Sequence, residues 1–568
     1  MAGGMGGALI NKAALANTPS QVISVWIFFC AWIIATSGVR PVLSLYATQD
    51  ATDRCTYMSL VDPHTLHGYN SSNMSGILKM HQFKEDFNLG SYSTSSYATL
   101  SGWVTSIIVL GGFIGSLISA PLNDRFGRRS TLFASSIIYS VGAIIQISTT
   151  SNINMVIGAR AVEGFGGGIA TVTGTVYLAE IAPKAIRGLL GAFFSTNIML
   201  GVALGYWGNY GAIINISDNS HWQYRVPLLI QFIPAITILA FLLFIPESPR
   251  WYVLKGKNDK ALKSLVRLRR LPAEHDFVVQ EYSEIVSAAE AERGMSVTWL
   301  AFIKELMHDK TLARRFIISM VVQVGFNFSG GNSITYYQTS ILTSVGITGD
   351  DAYLFSGIYG LVKVLSVFVY SLFCAERFGR RKMLLFGASV NILCVTWVAI
   401  YLGALTGNKA GGWVSVAALC VFAVGYGVGF APNGFGLPAE TTPNRFRAKV
   451  VTCAMSAQYL INFLLVFFFP RMVLQITSKG PFIIFACVST AILIFFFLAL
   501  PEVKGVAIEH MSSLFEGHLL ANGLRASRLN KMVRKEEAAD AATVRDVKPE
   551  QKAEYIESVG GKSAEEKV

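Results

Sequence analysis

Apolar residues come in long blocks separated by short polar stretches. In the first half of the chain, Ile23–Leu45, Ile107–Leu122, Leu189–Tyr210 and Leu228–Phe244 each approach membrane length. Leu132–Ile147 and Met155–Tyr177 are more mixed, with extra Ser and Gly. The second half repeats the pattern at Phe316–Gly325, Tyr353–Phe373, Met383–Leu405, Gly412–Phe430, Val451–Phe469 and Phe482–Leu500. A bilayer core takes roughly 20 apolar residues per helix and offers no partner to an unpaired backbone group. The pattern therefore predicts an all-α integral membrane protein with twelve transmembrane helices in two sets of six. Composition agrees: 14% of the residues are charged and 52% hydrophobic, where a soluble domain carries about a quarter charged residues.

Charge adds the topology. Basic residues gather at Asp124–Arg129, Lys184–Arg187, Arg250–Arg315, Glu376–Lys382, Arg445–Lys449 and beyond Lys504, while Ser148–Asn154 and Gly211–Ser220 are almost free of them. Lys and Arg collect on the cytoplasmic side, so both termini are expected inside. The net charge of +12 reads in the same way and does not point to nucleic acid. The chain then divides into a cytoplasmic tail (1–22), an N-terminal bundle (23–245) with an outer loop at 50–97, a cytoplasmic linker (246–312), a C-terminal bundle (313–500) and a cytoplasmic tail (501–568). No small-residue cleavage site precedes Ile23–Leu45, which reads as a retained first span. Short amphipathic helices are expected near Asp259–Leu268 and Phe277–Arg293, and disorder over most of the polar Leu514–Val568. Sequons at Asn70, Asn73 and Asn215 fall in loops placed outside and read as glycosylation acceptors; Asn327 also matches but sits within a span. The seven cysteines show no metal spacing, so no metal or cofactor is predicted, nor an obligate protein partner. There is no nucleotide-binding loop of the G-x-x-x-x-G-K-[ST] type, so neither ATP-driven pumping nor an enzyme is expected.

An internal repeat is the strongest signal. Asp124-Arg125-Phe126-Gly127-Arg128-Arg129 returns as Glu376-Arg377-Phe378-Gly379-Arg380-Arg381, 252 residues later. Glu180 with Arg187 is matched by Glu440 with Arg447, again seven residues apart. A duplicated six-helix unit marks a large class of transporters. Gly127 and Gly379 permit tight turns, and the charged groups, together with Glu247 and Arg250, are expected to link helix ends as a gating network that breaks on switching.

These residues carry a resemblance. Asp124–Arg129 with Glu376–Arg381, Gly158-Ala159-Arg160 with Gly164-Phe165-Gly166, and Tyr177–Pro183 with Arg187-Gly188 resemble motifs of the sugar porter family of the major facilitator superfamily. So do Pro246-Glu247-Ser248-Pro249-Arg250-Trp251, Ser329-Gly330-Gly331-Asn332 with Tyr336-Tyr337, and Pro501–Gly505. The likeness spans nearly all of Trp26–Glu509 and is closest to fungal-type hexose transporters. It implies alternating access, with a polyol-like solute between the halves.

Sugar hydroxyls donate and accept, so their site needs amides, hydroxyls and an aromatic face. Polar residues within apolar spans are the candidates: Gln323, Asn327, Ser329, Asn332, Thr335, Tyr336, Tyr337 and Gln338 in the seventh span, Asn433, Phe435 and Gln458 in the tenth and eleventh, and Ser195, Thr196 and Asn197 in the fifth. Three positions depart from the family. Ser195 stands where a glutamine is usual, Phe326-Asn327 where a Gln-Gln pair is, and Phe435 where a tryptophan stacks on the sugar. A site stripped of these groups should reject ordinary hexoses.

Proton-coupled members of the family pair a first-span aspartate with the arginine found here as Arg160. The aspartate's place is expected near Thr36, and no carboxylate lies in Ile23–Leu45, which favours a uniporter. Glu163, three residues after Arg160 and on the same helical face, is the candidate for the missing acid. Arg40 either binds an anionic solute or reaches the outer surface. Three readings follow: a carrier of a sugar or polyol, with or without H⁺; a carrier of another metabolite, such as the sugar acid quinate; or a transporter-like sugar sensor. The plasma membrane is the expected location.

Overall fold

A computed structural model describes residues 63–181, 187–294 and 298–504, with isolated residues beyond. The regular structure of its described residues is all helical, without a strand. The first set comprises α1 (Pro63–Ile77), the short α2 (His81–Asp86), α3 (Thr94–Phe126), α4 (Arg128–Ser148), α5 (Ile153–Ile181), α6 (Arg187–Asn215), α7 (Trp222–Ile230) and α8 (Phe232–Leu242). Four helices follow on one face: α9 (Pro249–Leu254), α10 (Asn258–Arg269), α11 (Asp276–Gly294) and α12 (Trp299–His308). The second set is α13 (Lys310–Phe328), α14 (Gly331–Ser344), α15 (Asp350–Val369, extended by a π turn to Cys374), α16 (Ala375–Phe378), α17 (Arg380–Ala404), α18 (Lys409–Thr441), α19 (Asn444–Gln475) and α20 (Gly480–Ala499). Among the described residues, eight helical segments are long and apolar enough to cross a membrane. Their outer faces expose large apolar side chains such as Leu393 (71%) and Ile233 (64%), as lipid requires and water does not.

Local chemistry sets the helix ends. Ser93, Thr298, Asp309 and Asn408 each cap the helix that follows with a side-chain oxygen. Ser248 accepts from Trp251 N, and Pro249 occupies the first position of α9, where a missing N–H is harmless. Prolines 121, 432, 438 and 470 lie inside α3, α18 and α19.

The two sets meet most extensively along α3 with α19 and α6 with α15, and also where α1 meets α14. In the interior lies α1, against α6, α5 and α14. This corrects the outer loop expected at 50–97. Pro63–Ile77 (PHTLHGYNSSNMSGI) is too short and polar to look like a span, yet protein surrounds it, so it needs no lipid-facing surface. The approach to α6 is close: a Cβ on Gly68 would lie 1.9 Å from Ile198 O, and one on Gly201 2.1 Å from Thr65 O. The tail also departs from expectation at its start. Leu514 and Phe515 are fully buried in the second set, and the Phe515 carbonyl accepts from Arg314 Nη1 at 3.0 Å. The apolar run Ile23–Leu45, with Thr36 and Arg40, lies outside the described residues.

Candidate functional site

The expected seventh span is broken. Helix α13 stops at Phe328 and α14 starts at Gly331, with Gly330 at φ +88° between them. The break brings three predicted amides together. Asn327, fully buried, donates to the carbonyls of Gln323 (3.0 Å) and Gln458 (3.2 Å). Its own oxygen accepts from Asn332 Nδ2 at 3.0 Å, and Asn332 Oδ1 accepts from Tyr426 at 3.1 Å. Gln323 Nε2 donates to Gly434 O at 2.6 Å, tying α13 to α18. Asn332 is the member of this chain left partly exposed.

Other predicted residues lie apart. Tyr337 donates to Val466 O at 3.0 Å and stacks on Phe469, 5.0 Å between ring centres. Asn433 bonds its own helix at Gly429 O and accepts from Tyr370, a helix-to-helix bond rather than a free ligating group. Ser195, Thr196, Asn197 and Tyr336 are buried. Thr335 and Ser329 donate back to Gly331 O and Phe326 O. The Phe435 side chain lies outside the described ones. A cavity of about 320 Å³ lies beside Tyr337, between Ser75, Lys79, Ser101 and Phe469. It sits among the ends of α1, α14 and α19 and the start of α3, opposite the basic clusters.

Two residues went unnoticed in the sequence. Lys363 is 1% exposed within α15. It donates to Thr335 Oγ1 at 2.5 Å and to Gly331 O at 3.4 Å. Its ammonium faces the rings of Tyr426 (4.5 Å) and Tyr359 (5.3 Å). The signal was present as one lysine inside the apolar run Tyr353–Phe373, costly in a membrane and so a functional candidate. His67 reaches across the halves from α1 to Tyr459, 6.0 Å between ring centres.

Arg160 and its neighbours lie in the interior of the first set. Arg160 and Glu163 are both fully buried. Arg160 Nη2 donates to Asn70 O at 3.4 Å, while its Nε and Nη1 find no partner among the described residues. Glu163 Oε1 accepts from Gln231 Nε2 at 3.5 Å, and Oε2 has no partner among the described residues. Tyr139 accepts from Asn70 Nδ2 at 2.6 Å. From α1, then, Arg160 meets the main-chain carbonyl of Asn70, whose side-chain amide is turned to Tyr139. Asn70 and Asn73 are 2% and 0% exposed inside α1, so the structure contradicts glycosylation there: a buried amide is closed to a glycan. Asn215 is exposed at the end of α6.

The repeated basic motifs form two matching lattices. Arg128 pairs with Glu180 (2.8 Å), reaches Asp124 (3.6 Å), and donates to Asn123 O. Arg380 pairs with Glu440 at 3.1 Å. Gly127 and Gly379 hold φ +95° and +89°. Glu247 accepts from the backbone N–H groups of Arg128, Arg129 and Ser248 at 2.9 to 3.1 Å. Glu502 does the same for Arg380 and Lys504 at 3.0 and 3.2 Å. Both carboxylates meet a helix N-terminus, where negative charge is favoured. Glu502 was not foreseen as part of the network, although Pro501-Glu502 mirrors Pro246-Glu247.

These ion pairs link helix ends within one half, α4 to α5 and α17 to α18. The reason is local: Arg128 is 6% exposed, with its guanidinium committed to neighbours in its own half. Arg125 and Arg377 lie against Phe126 and Phe378. The Arg187 and Glu376 side chains lie outside the described ones; Arg250 and Arg447 have interactions of their own. Hydrogen bonds between the halves include Ser75 to Thr339 (3.2 Å), Tyr353 to Gly76 O (3.2 Å) and Arg471 to Thr99 (2.9 Å) on the opposite face, and Tyr206 to Thr335 O (2.6 Å) at the first turn of α14.

Comparison with known proteins adds relatives. The family model described as "Sugar (and other) transporter" matches residues 55–515. A probable quinate permease of Aspergillus flavus is 31% identical over 463 residues, covering 79% of this chain and 85% of the permease. The quinate permease of Emericella nidulans is 31% identical over 465 residues, 79% of this chain and 86% of its own. Among solved structures, the inward-open xylose transporter XylE from E. coli aligns with TM-score 0.66 and 21% identity, over 81% of this chain and 99% of XylE. XylE bound to 6-bromo-6-deoxy-D-glucose gives 0.66 and 22%, over 81% and 98%.

Proposed function

The chain belongs to the sugar (and other) transporter family, and on that premise we propose that it carries a carboxylated cyclic polyol of the quinate type by proton-coupled alternating access. It is a multi-pass membrane protein that transports a solute and catalyses no reaction. The observation that carries the substrate reading is the likeness to quinate permeases over most of the chain. The site chemistry agrees with it. Asn332, Asn327 and Gln323 supply amides for hydroxyl groups, and Tyr426 supplies an aromatic face, while the glutamines and tryptophan used for hexoses are absent at Ser195, Phe326 and Phe435.

Twelve spans with both termini cytoplasmic, in the plasma membrane, remain the topology we favour. In the switching motion each half moves as a rigid body. The Arg128–Glu180 and Arg380–Glu440 lattices brace each half internally, and the Ser75–Thr339 and Thr99–Arg471 contacts form and break between them. The proton site is Glu163, buried beside Arg160, with one oxygen free of partners among the described residues. Protonation of Glu163 leaves Arg160 to other acceptors, which ties its position to solute occupancy across the interface.

Uptake of radiolabelled quinate, xylose, glucose and glycerol in yeast lacking its own hexose carriers tests the substrate. The reading expects saturable quinate uptake, resisted by excess unlabelled quinate and not by glucose. Saturable glucose uptake with none of quinate would return the chain to the sugar reading. Surface-localised protein that moves no solute would favour the sensor reading.

A further inference from the structure

A transporter of carboxylated polyols needs a cation where the carboxylate docks. Among the described residues, three cations of the helix bundle are 2% exposed or less: Arg160, Lys363 and Arg315, the last at the basic-cluster end of α13 against the Phe515 ring. Arg160 has Glu163 one turn away. Lys363 has no carboxylate partner among the described residues; its neighbours are Thr335 Oγ1, Gly331 O and the faces of Tyr426 and Tyr359. A lone ammonium shut in a low-dielectric interior is costly unless an anion joins it. Aromatic faces and neutral oxygens compensate only in part.

Its position makes the missing anion a solute. Gly331 and Thr335 form the first turn of α14, immediately after the break that displays Asn332. Tyr426 stands between the ammonium and the site: its ring covers Lys363, and its hydroxyl donates to Asn332 Oδ1 at 3.1 Å. The 3.4 Å contact to Gly331 O is long for a hydrogen bond and is readily exchanged for a carboxylate oxygen.

We infer that Lys363 is the anchor for the carboxylate of the transported polyol, with Tyr426 as the aromatic shutter between that anchor and the hydroxyl-binding amide Asn332. The inference rests on the quinate-type reading above. It makes Lys363 the residue that separates acids from neutral polyols. Hydroxyls bind at Asn327 and Asn332 in either case. The acid gains a charge-assisted bond to Lys363, and the neutral solute leaves the ammonium unpaired.

The test uses the full-length protein, purified in detergent and expressed in the uptake strain, with quinate and neutral myo-inositol as probes. In the wild type, quinate raises the melting temperature and is taken up with the lower KM. Lys363→Gln is expected to raise the quinate KM roughly 10- to 100-fold, as loss of a hydrogen bond to a charged group implies. It should abolish the quinate-induced thermal shift and leave the myo-inositol KM within about twofold. The ligand-free melting temperature should stay the same or rise, because an uncompensated buried charge has been removed. Lys363→Arg, which keeps the charge, should retain part of the quinate preference. An unchanged quinate-to-inositol ratio in Lys363→Gln overturns the inference. So does a lower ligand-free melting temperature with both solutes lost alike, the mark of a purely structural lysine. If the wild type itself answers to no carboxylated polyol, the substrate reading has failed, a result visible before any variant is made.

Discussion

Gly127 offers a sharp test of how the basic motif works. Its backbone, at φ 95° and ψ 165°, lies in a region open essentially to glycine alone, and a side chain there costs on the order of 1–3 kcal/mol. Gly127→Ala adds a collision. The new Cβ would stand 2.3 Å from Glu247 Oε2 and 2.9 Å from its carboxyl carbon. To relieve it, the carboxylate must shift away from the three N–H groups that it accepts from Arg128, Arg129 and Ser248. Each hydrogen bond to a charged group contributes roughly 1.5–3 kcal/mol. With strain and the weakening of one such bond, the loss comes to about 3–5 kcal/mol. The assay is thermal unfolding in detergent together with initial uptake rate. Gly158→Ala is the control, since a Cβ there meets nothing within 4 Å and sits in a helix that favours alanine. Gly379→Ala should behave like Gly127→Ala, because its Cβ would lie 2.5 Å from Glu502 Oε2. If Gly127→Ala melts and transports like the control, the carboxylate cap is not what holds α4 to the segment before α9.

Two further predictions follow from the site and from the face opposite the basic clusters. Asn327→Ala removes the side-chain donor shared by the carbonyls of Gln323 and Gln458 and frees Asn332, so the solute KM should rise by about tenfold or more; an unchanged KM at normal surface level would remove Asn327 from the site. Burial opposes charge on Asp86, but hydrogen bonds from Gln82, Tyr224 and His221 outweigh it and hold that carboxyl below the usual carboxylate range. A depressed folded-state pKa stabilises the fold above the unfolded value and loses that contribution as pH falls through the folded one. Wild-type melting temperature should therefore fall more steeply on acidification than that of Asp86→Asn, and parallel curves would refute the assignment.

What the sequence revealed follows from what hydropathy measures. Helices with a lipid-facing side were legible as apolar blocks. The repeat was legible because the Asp124–Arg129 and Glu376–Arg381 turns need the same glycine and the same charges. Helix α1 was invisible for the opposite reason. Surrounded by protein, it carries His67, Asn70 and Asn73 without penalty, and its polarity imitated a glycosylated loop. The sequence named the charged residues of the basic motifs but not their partners, because ion-pair chemistry does not say which helix is in reach; the pairs Arg128–Glu180 and Arg380–Glu440 each lie within one half. Asn332 and Asn327 were legible as amides within a span; that Asn433 spends its amide on Gly429 and Tyr370 was not. Lys363 was overlooked because one lysine scarcely changes the mean of a long apolar run, although its solitude is what makes it informative.

The most direct test of the account reconstitutes the protein in liposomes with an internal pH dye and adds quinate outside. The account predicts solute-driven proton entry in the wild type, and in Glu163→Gln quinate counterflow without proton movement. Proton entry that persists in Glu163→Gln, or wild-type quinate flux that moves no proton, would contradict it.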